Sequence, residues 1–543
     1  MAKFDRTRLG GVALSACLLA AGCAPSLEGN EPREPKKDVP QAFSADGTNE
    51  GQSLAQQKWR EFFGSSELRS LIEAALRNNQ ELNIRLQEII IAQTEIDARK
   101  GDYLPKVDAY AGAGVEKVGR YTRHGQVDES LGLDEHMGDF GFGLRGSWEV
   151  DVWGKLRNAA KSAQLRYLSS VEGRNFVVTQ LVAEIARSYY ELVALDRELE
   201  VVERNIAIQT DALEVMKIQK AAARVTQLAV QRFEAEVTKN RSRLFELKQE
   251  RVLAENRINF LVGRFPQPVA RNAAAFDEPI PASLHTGLPS KLLENRPDVR
   301  QAELALEAAK LDVKSAKAAF YPSLSIDAGV GYNSFNIEHL VTTPESLIYN
   351  AAGGLTAPLL NRAAITAQYR SANARQVQAV YEYERAILQA FTDVVNQVSV
   401  LDNLRKAYDL QKDQVRLLTD AVDVSNTLFQ TARADYMEVL LTRRDSLDAE
   451  LELVRTKKQQ LVALVNLYQA LGGGWLSYAK EGPPKDQGGG APAQPTERKS
   501  ADAKPTETAP SAQPTEAKPT ETAPAAQPAE TTPADAKPPA PHP

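Results

Sequence analysis

Two periodicities take turns along this chain. Four stretches alternate apolar and polar residues at every second position, the pattern of a half-exposed β-strand. In the first, Val107, Ala109, Ala111, Ala113 and Val115 interleave with Lys106, Asp108, Gly112 and Glu116. The second sets Phe140, Phe142, Leu144, Trp148, Val150 and Val152 against Asp139, Gly141, Gly143, Arg145, Ser147, Glu149 and Asp151. A third opposes Leu324, Ile326, Ala328, Val330 and Tyr332 to Ser323, Ser325, Asp327 and Asn333, and a weaker fourth runs through Tyr349, Ala351, Leu355, Ala357 and Leu359. These runs predict strands at about 105–118, 139–153, 322–333 and 348–360. Elsewhere the apolar step changes to three and four, as in Val178, Leu181, Ile185, Tyr189, Leu192, Leu195, Leu199, Val202 and Ile206. That is a helical packing stripe. It predicts long helices at about 155–217, 226–262, 363–429 and 436–471, the last with Leu447, Leu451, Val454, Leu461 and Val465. At 1.5 Å per residue, about 60 residues make a rod of roughly 90–100 Å.

The sequence contains itself twice. Asn78, Leu82, Ala92, Ile96, Pro105, Gly112 and Gly114 recur as Asn295, Val299, Ala309, Val313, Pro322, Gly329 and Gly331, each pair 217 positions apart. Two helical stretches could share a period by chance, but not the register of their Pro and Gly punctuation. Each copy therefore supplies two strands followed by two long helices.

Strands of this length suit a tilted crossing of a bilayer, and apolar-out, polar-in alternation is what a membrane barrel shows. A soluble sandwich with one wet face is the plainer reading. In lipid, four strands would leave two unpaired edges, which is untenable, and the smallest such barrels have about eight strands. Several chains must then pool their strands. The polar connections Gly119–Gly138 and Asn333–Ser346 read as exposed loops at one end. Opposite the helical stripe lie Glu184, Arg187, Glu191, Arg197, Glu198 and Glu200, which read as solvated.

Composition adds boundaries. The 543 residues carry a net charge of -6, which gives no basic footprint for nucleic acid. Lys3, Arg6 and Arg8 precede a short apolar run, Val12 to Ala21, too short to span a bilayer and read as a signal peptide. Leu18-Leu19-Ala20-Ala21-Gly22-Cys23 resembles the lipobox of bacterial lipoproteins. That resemblance implies cleavage after residue 22 and a diacylglycerol and N-acyl group on Cys23; Ala24 in the next position implies the outer membrane. Residues 23–58 then form a tether. Past Tyr478 the chain becomes Pro-, Ala-, Thr- and Glu-rich, with Ala503–Glu516 nearly repeated at Ala517–Glu530, and residues 479–543 read as a disordered tail. His124, His136, His285, His339 and His542 have no metal-ligand spacing, and no nucleophile motif or phosphate-binding loop occurs. Neither catalysis nor a metal or other cofactor is expected.

Specific motifs then point to a family. Leu68 to Asn79, Trp148 to Lys155, Gly287 to Val299 (GLPSKLLENRPDV) and Phe320 to Ser325 (FYPSLS) resemble the TolC-like outer-membrane efflux proteins, in particular the lipoprotein branch that serves multidrug pumps. The resemblance implies an α+β membrane protein with repeats at 59–265 and 266–478. It implies a homotrimer whose four strands per chain close a 12-stranded barrel, continued by a periplasmic α-helical barrel. It also implies a periplasmic adaptor and an inner-membrane RND-type transporter as partners, and passive export of drugs or other small toxic compounds. The helix turns near Ala221–Val225 and Thr431–Tyr436 would then be the periplasmic end. Ala223, Arg224, Ala432 and Tyr436 would contact the adaptor; Asp420, Asp423, Asp435 and Arg433 would form a gate. Relatives usually carry Gly at the second turn, where this chain has Ala432. Two alternatives stay open from the residues: the exit duct of a type I protein-secretion system, and a periplasmic coiled-coil lipoprotein without a pore.

Overall fold

The computed structural model describes residues 24–27, 31–43, 53–277, 280, 286–358, 360, 362–431 and 433–482. The signal segment, Cys23, Leu359, Ala432 and the tail beyond residue 482 lie outside the described residues. In chain order the main helices are α1 (Ser66–Asn78), α2 (Gln80–Asp102), α3 (Arg123–Leu131), α4 (Lys155–Ala221), α5 (Gln227–Val262), α6 (Pro297–Ala318), α7 (Ala363–Gln430) and α8 (Tyr436–Ala470). The strands are β1 (Lys106–Glu116), β2 (Met137–Val150), β3 (Ser323–Ser334) and β4 (Leu347–Thr356). The fourth strand stops at Thr356, short of the expected 360, because Pro358 has no amide to donate to a ladder. Helical structure also continues past Tyr478, in a short turn Leu476–Glu481.

The four strands pair in chain order, all antiparallel, as one sheet. The helices form one layer. Long α4 packs on α2 and α5 to one side and on α6 and α8 to the other, and α7 packs on α6 and α8. The α4 stripe foreseen from Val178 to Val202 is buried throughout, with Ile206 packed against the same core.

The internal repeat explains how two short helices stack on two longer ones. At the end of α5, Gly263 adopts φ 76°, and a Cβ there would lie 2.4 Å from the Asn78 carbonyl oxygen. At the end of α8, Gly472 adopts φ 88°, and its Cβ would lie 2.5 Å from the Asn295 carbonyl oxygen. Only glycine permits both the left-handed backbone and that approach. The neighbouring side chain then ties off the same carbonyl in each copy. Asn79 Nδ2 donates to the Leu261 oxygen at 2.8 Å, and Arg296 Nη1 donates to the Ala470 oxygen at 3.2 Å. The C-terminus of α5 thus meets the N-terminus of α2, and α8 meets α6. Arg296 further bonds Asp298 (2.7 and 3.0 Å) and Asp393 (3.0 Å) while almost wholly buried.

Three further features depart from the sequence reading. The β1–β2 loop contains α3, capped by the Thr122 hydroxyl on the Gly125 amide. Two charges expected in solvent are not there. Glu198 is buried and faces Arg455 at 3.5 Å, and half-buried Arg187 donates to Asn466 and Gln469 at 2.8 Å each. Both lie where α8 covers α4, a contact that a single-helix periodicity does not encode. Finally, residues 31–43, read as part of a tether, pack on α6 and α7.

Candidate functional site

The ladder registers decide what each face of the sheet is made of. Phe142 pairs with Ala111 and Tyr332, Leu144 with Ala109 and Val330, Trp148 with Ile326, and Val150 with Leu324. Across the last pair, Val330 meets Tyr349 and Leu324 meets Leu355. Paired residues point the same way, so one face is apolar from β1 to β4. The other carries Asp108 beside Arg145, Tyr110 beside Gly143, Asp327 beside Ser147, and Gly329 beside Asn350. On that polar face the Arg145 guanidinium sits 4.1 Å over the Tyr110 ring. Where the sheet meets the helices, the Trp148 and Trp153 indoles donate to the Tyr103 and Pro322 carbonyls at 3.0 and 2.8 Å, and Trp153 stacks on Tyr321. Such aromatic groups mark a membrane interface.

Sheet and helix layer are open on two edges each. Among the described residues β1 and β4 each pair on one side only, and the helix layer ends in α2 and α5 on one side and α7 on the other. Those edge helices carry large exposed apolar side chains. On α7, Leu410, Leu417 and Val424 recur every seven residues and are 71%, 59% and 58% exposed; on the other edge stand Ile84, Ile91, Phe245, Leu253 and Phe260. An apolar residue every seventh position on an exposed helix fits one line of a helix-packing seam. Among the described residues no helix is long and apolar enough to cross a membrane.

The far end of the helix layer is made of two turns. In the first, Ala223 adopts φ 55°, its amide bonds the Lys220 carbonyl, and the Arg224 amide bonds the Gln219 carbonyl at 2.9 Å. This is a Schellman cap built on alanine. In the second, the Arg433 amide makes the matching bond to the Leu428 carbonyl at 2.9 Å; Ala432 lies outside the described residues. Ala223, Arg224, Arg433 and Asp435 are exposed, as are Asp420 and Asp423, three residues apart on α7. Tyr436 is not free in the same way. It packs half-buried on a small core of Leu213, Met216, Val230 and Phe233 that joins the two turns. Among the described residues no ion pair links Arg433 to the three aspartates. The cation that faces Asp423 is Arg443 on α8: its Nη2 donates to Asn426 at 3.0 Å, burial lowers its pKa, and the Asp423 charge opposes that shift. Sequence reasoning passed over Arg443, although counting back from the turn places it opposite Asn426 in an antiparallel hairpin.

The signature described as "Outer membrane efflux protein" matches residues 71–264 and 288–473, one span per repeat. The chain belongs to this family. The pyoverdine export outer membrane protein OpmQ of Pseudomonas aeruginosa is 30% identical over 466 residues, spanning 86% of this chain and 96% of that protein. The probable outer membrane lipoprotein SilC of Salmonella typhimurium is 25% identical, spanning 86% and 98%. The open-state structure of the Neisseria gonorrhoeae MtrE outer membrane channel superposes with a TM-score of 0.72 at 25% identity, covering 82% of this chain and 98% of that one. As an outer membrane efflux protein, the chain is an outer-membrane channel component built from two efflux repeats, and the family is one of channels rather than enzymes.

Proposed function

We propose that three copies close edge to edge into a continuous duct that exports small toxic compounds passively from the periplasm to the exterior. The observation that carries this is the coincidence of open edges: both layers of the chain end on two sides, and the helix edges are apolar where a neighbour would lie. Three copies give twelve strands, above the roughly eight that the smallest membrane barrels need. In this arrangement α7 of one copy meets α2 and α5 of the next, and β4 meets β1. Cys23 carries the acyl anchor, in keeping with the lipoprotein named among the relatives.

The turns at Ala223–Arg224 and Ala432–Tyr436 face the periplasm and receive a periplasmic adaptor, which couples the duct to an inner-membrane RND-type transporter. Tyr436 contributes chiefly by holding the two turns together. Asp420, Asp423 and Asp435 narrow the entrance, with Arg433 and Arg443 as the nearby cations. The apolar face of the sheet turns to lipid and the polar face to the lumen, where Asp108, Glu116, Asp139, Glu149 and Asp327 outnumber Lys106, Arg145 and the Lys155 that pairs with Glu149, so the field inside favours cations. A wide polar lumen discriminates little among solutes, and the transporter selects the cargo. Native mass spectrometry of the full chain extracted from outer membranes tests the assembly. Three acylated copies are expected; a single stable copy would overturn the reading.

A further inference from the structure

The cations on the polar face of the sheet are not held alike. Lys106 pairs with Asp102 at 3.5 Å, and Lys155, at the foot of the sheet, pairs with Glu149 at 2.6 Å. Arg145 stands directly across the β1–β2 ladder from Asp108. Side chains of such a pair start only about 5 Å apart, so a carboxylate is within reach. The guanidinium lies instead 4.1 Å over the Tyr110 ring, and among the described residues it makes no ion pair. The sequence makes room for this. Tyr110 pairs with Gly143, and Gly143 pairs with Gly331. Two glycines opposite each other leave a trough, with no side chain between Tyr110 and the third strand. A Cβ at Gly331 would lie 3.1 Å from the Tyr110 hydroxyl oxygen. The ring therefore reaches from β1 past β2 towards β3, with strands about 4.8 Å apart, and does so by lying along the sheet. It is half-buried there, while Arg145 and Asp108 are exposed. A ring laid flat turns its π face outward, and a guanidinium is drawn to that face.

We infer that Tyr110 sets the charge preference of the lumen by holding Arg145 away from Asp108. The inference rests on the reading of the sheet as part of a pooled barrel with this face inward. With Arg145 on the ring, the Asp108 carboxylate has no cation in contact and is presented to passing ions. Asp327 lies one step along the same face, across from Ser147, and adds to the same stretch of wall. Without the ring, Arg145 falls back on Asp108. The two charges then form a dipole, and its weak outer field is screened within about 8–10 Å. The net charge of the lumen is the same in both arrangements. What changes is whether a carboxylate is free at the wall to attract a cation. A substitution at Tyr110 that alters no charge therefore shifts charge selectivity, which a tyrosine with a merely structural role would not do.

Planar-bilayer recording of the full-length oligomer under a potassium chloride gradient tests this through the ratio of potassium to chloride permeability. The Asp420, Asp423 and Asp435 triple alanine background keeps the entrance from setting that ratio. In it, Tyr110→Leu should lower the ratio about twofold, and Tyr110→Phe, which keeps the ring face, should leave it unchanged. With Arg145→Gln also present, Tyr110→Leu should have no effect, because no guanidinium is left to fall back on Asp108. An unchanged ratio in Tyr110→Leu, or the same drop with Arg145→Gln present, overturns the inference. Asp108→Asn serves where Tyr110→Leu does not assemble. It should lower the ratio in a chain that keeps Tyr110 and Arg145, and no change there overturns the inference equally. A folded oligomer that inserts and does not conduct in this background overturns the duct reading itself.

Discussion

Arg296 offers the sharpest perturbation of the repeat junction. In Arg296→Met the aliphatic bulk is kept, but Asp298 and Asp393 lose their shared cation and the Ala470 carbonyl loses its donor. Breaking one side of a buried ion pair costs about 3–5 kcal/mol. Asp298 and Asp393 are 21% and 33% exposed, so partial hydration puts the expected value near the lower end, about 3 kcal/mol. At 1.4 kcal/mol per decade, that is roughly a hundredfold faster opening of the last turn of α8 and the first turn of α6. Asn79→Ser is the matched control in the first repeat. Serine can keep the cap on the Leu82 amide, which Asn79 now provides at 3.0 Å. It loses only the neutral bond to Leu261, about 1 kcal/mol and roughly fivefold in opening. Hydrogen exchange of both junction segments in the assembled protein measures the two. If R296M opens no faster than N79S, the buried arginine does not hold the second junction and the reasoning fails.

Other consequences follow from single sites. Replacing Leu410, Leu417 and Val424 together by Ser should dissociate the oligomer. Each is about 60% or more exposed in one chain, so each forfeits about 1–2 kcal/mol per interface. Light scattering of the purified variant should then report single chains. Ala223→Gly should stabilise the first turn by about 0.5–1 kcal/mol, because the left-handed backbone strains alanine and not glycine. A lowered melting temperature for that variant would contradict the Schellman geometry. At the start of α4, burial alone would raise the Asp151 pKa, but the Leu156 and Arg157 amides and the Arg157 guanidinium hold it below the usual carboxylate value. Its stabilisation is therefore present above about pH 4 and is lost as pH falls through the lower folded value. Exchange at those two amides should accelerate below about pH 4 in the natural protein, and Asp151→Asn should flatten that dependence.

Much of this arrangement was legible because it is written in local periods. The first three strands alternate cleanly, so their faces could be assigned residue by residue, and the 217-residue offset pairs Asn78 with Asn295 at both junctions. What stayed hidden depends on contacts between distant segments. Glu198 reads as a surface charge until α8 covers it, and residues 31–43 read as tether until Glu303 and Glu384 appear beside them. Proline and charge mark a segment that cannot fold alone, yet such a segment can dock once a complementary surface exists. At the turns, counting residues located the ends of the helices. Which cation faces Asp423 required the pairing of α7 with α8.

If strands pooled from identical chains enclose a lumen, the assembled protein conducts ions. Planar-bilayer recording of the purified, acylated oligomer tests it most directly, with the Asp420, Asp423 and Asp435 triple alanine variant beside it to open the entrance. Discrete ohmic steps that are larger in the variant, with a reversal potential showing preference for cations, are expected. A folded trimer that inserts into the bilayer but conducts in neither form would contradict it.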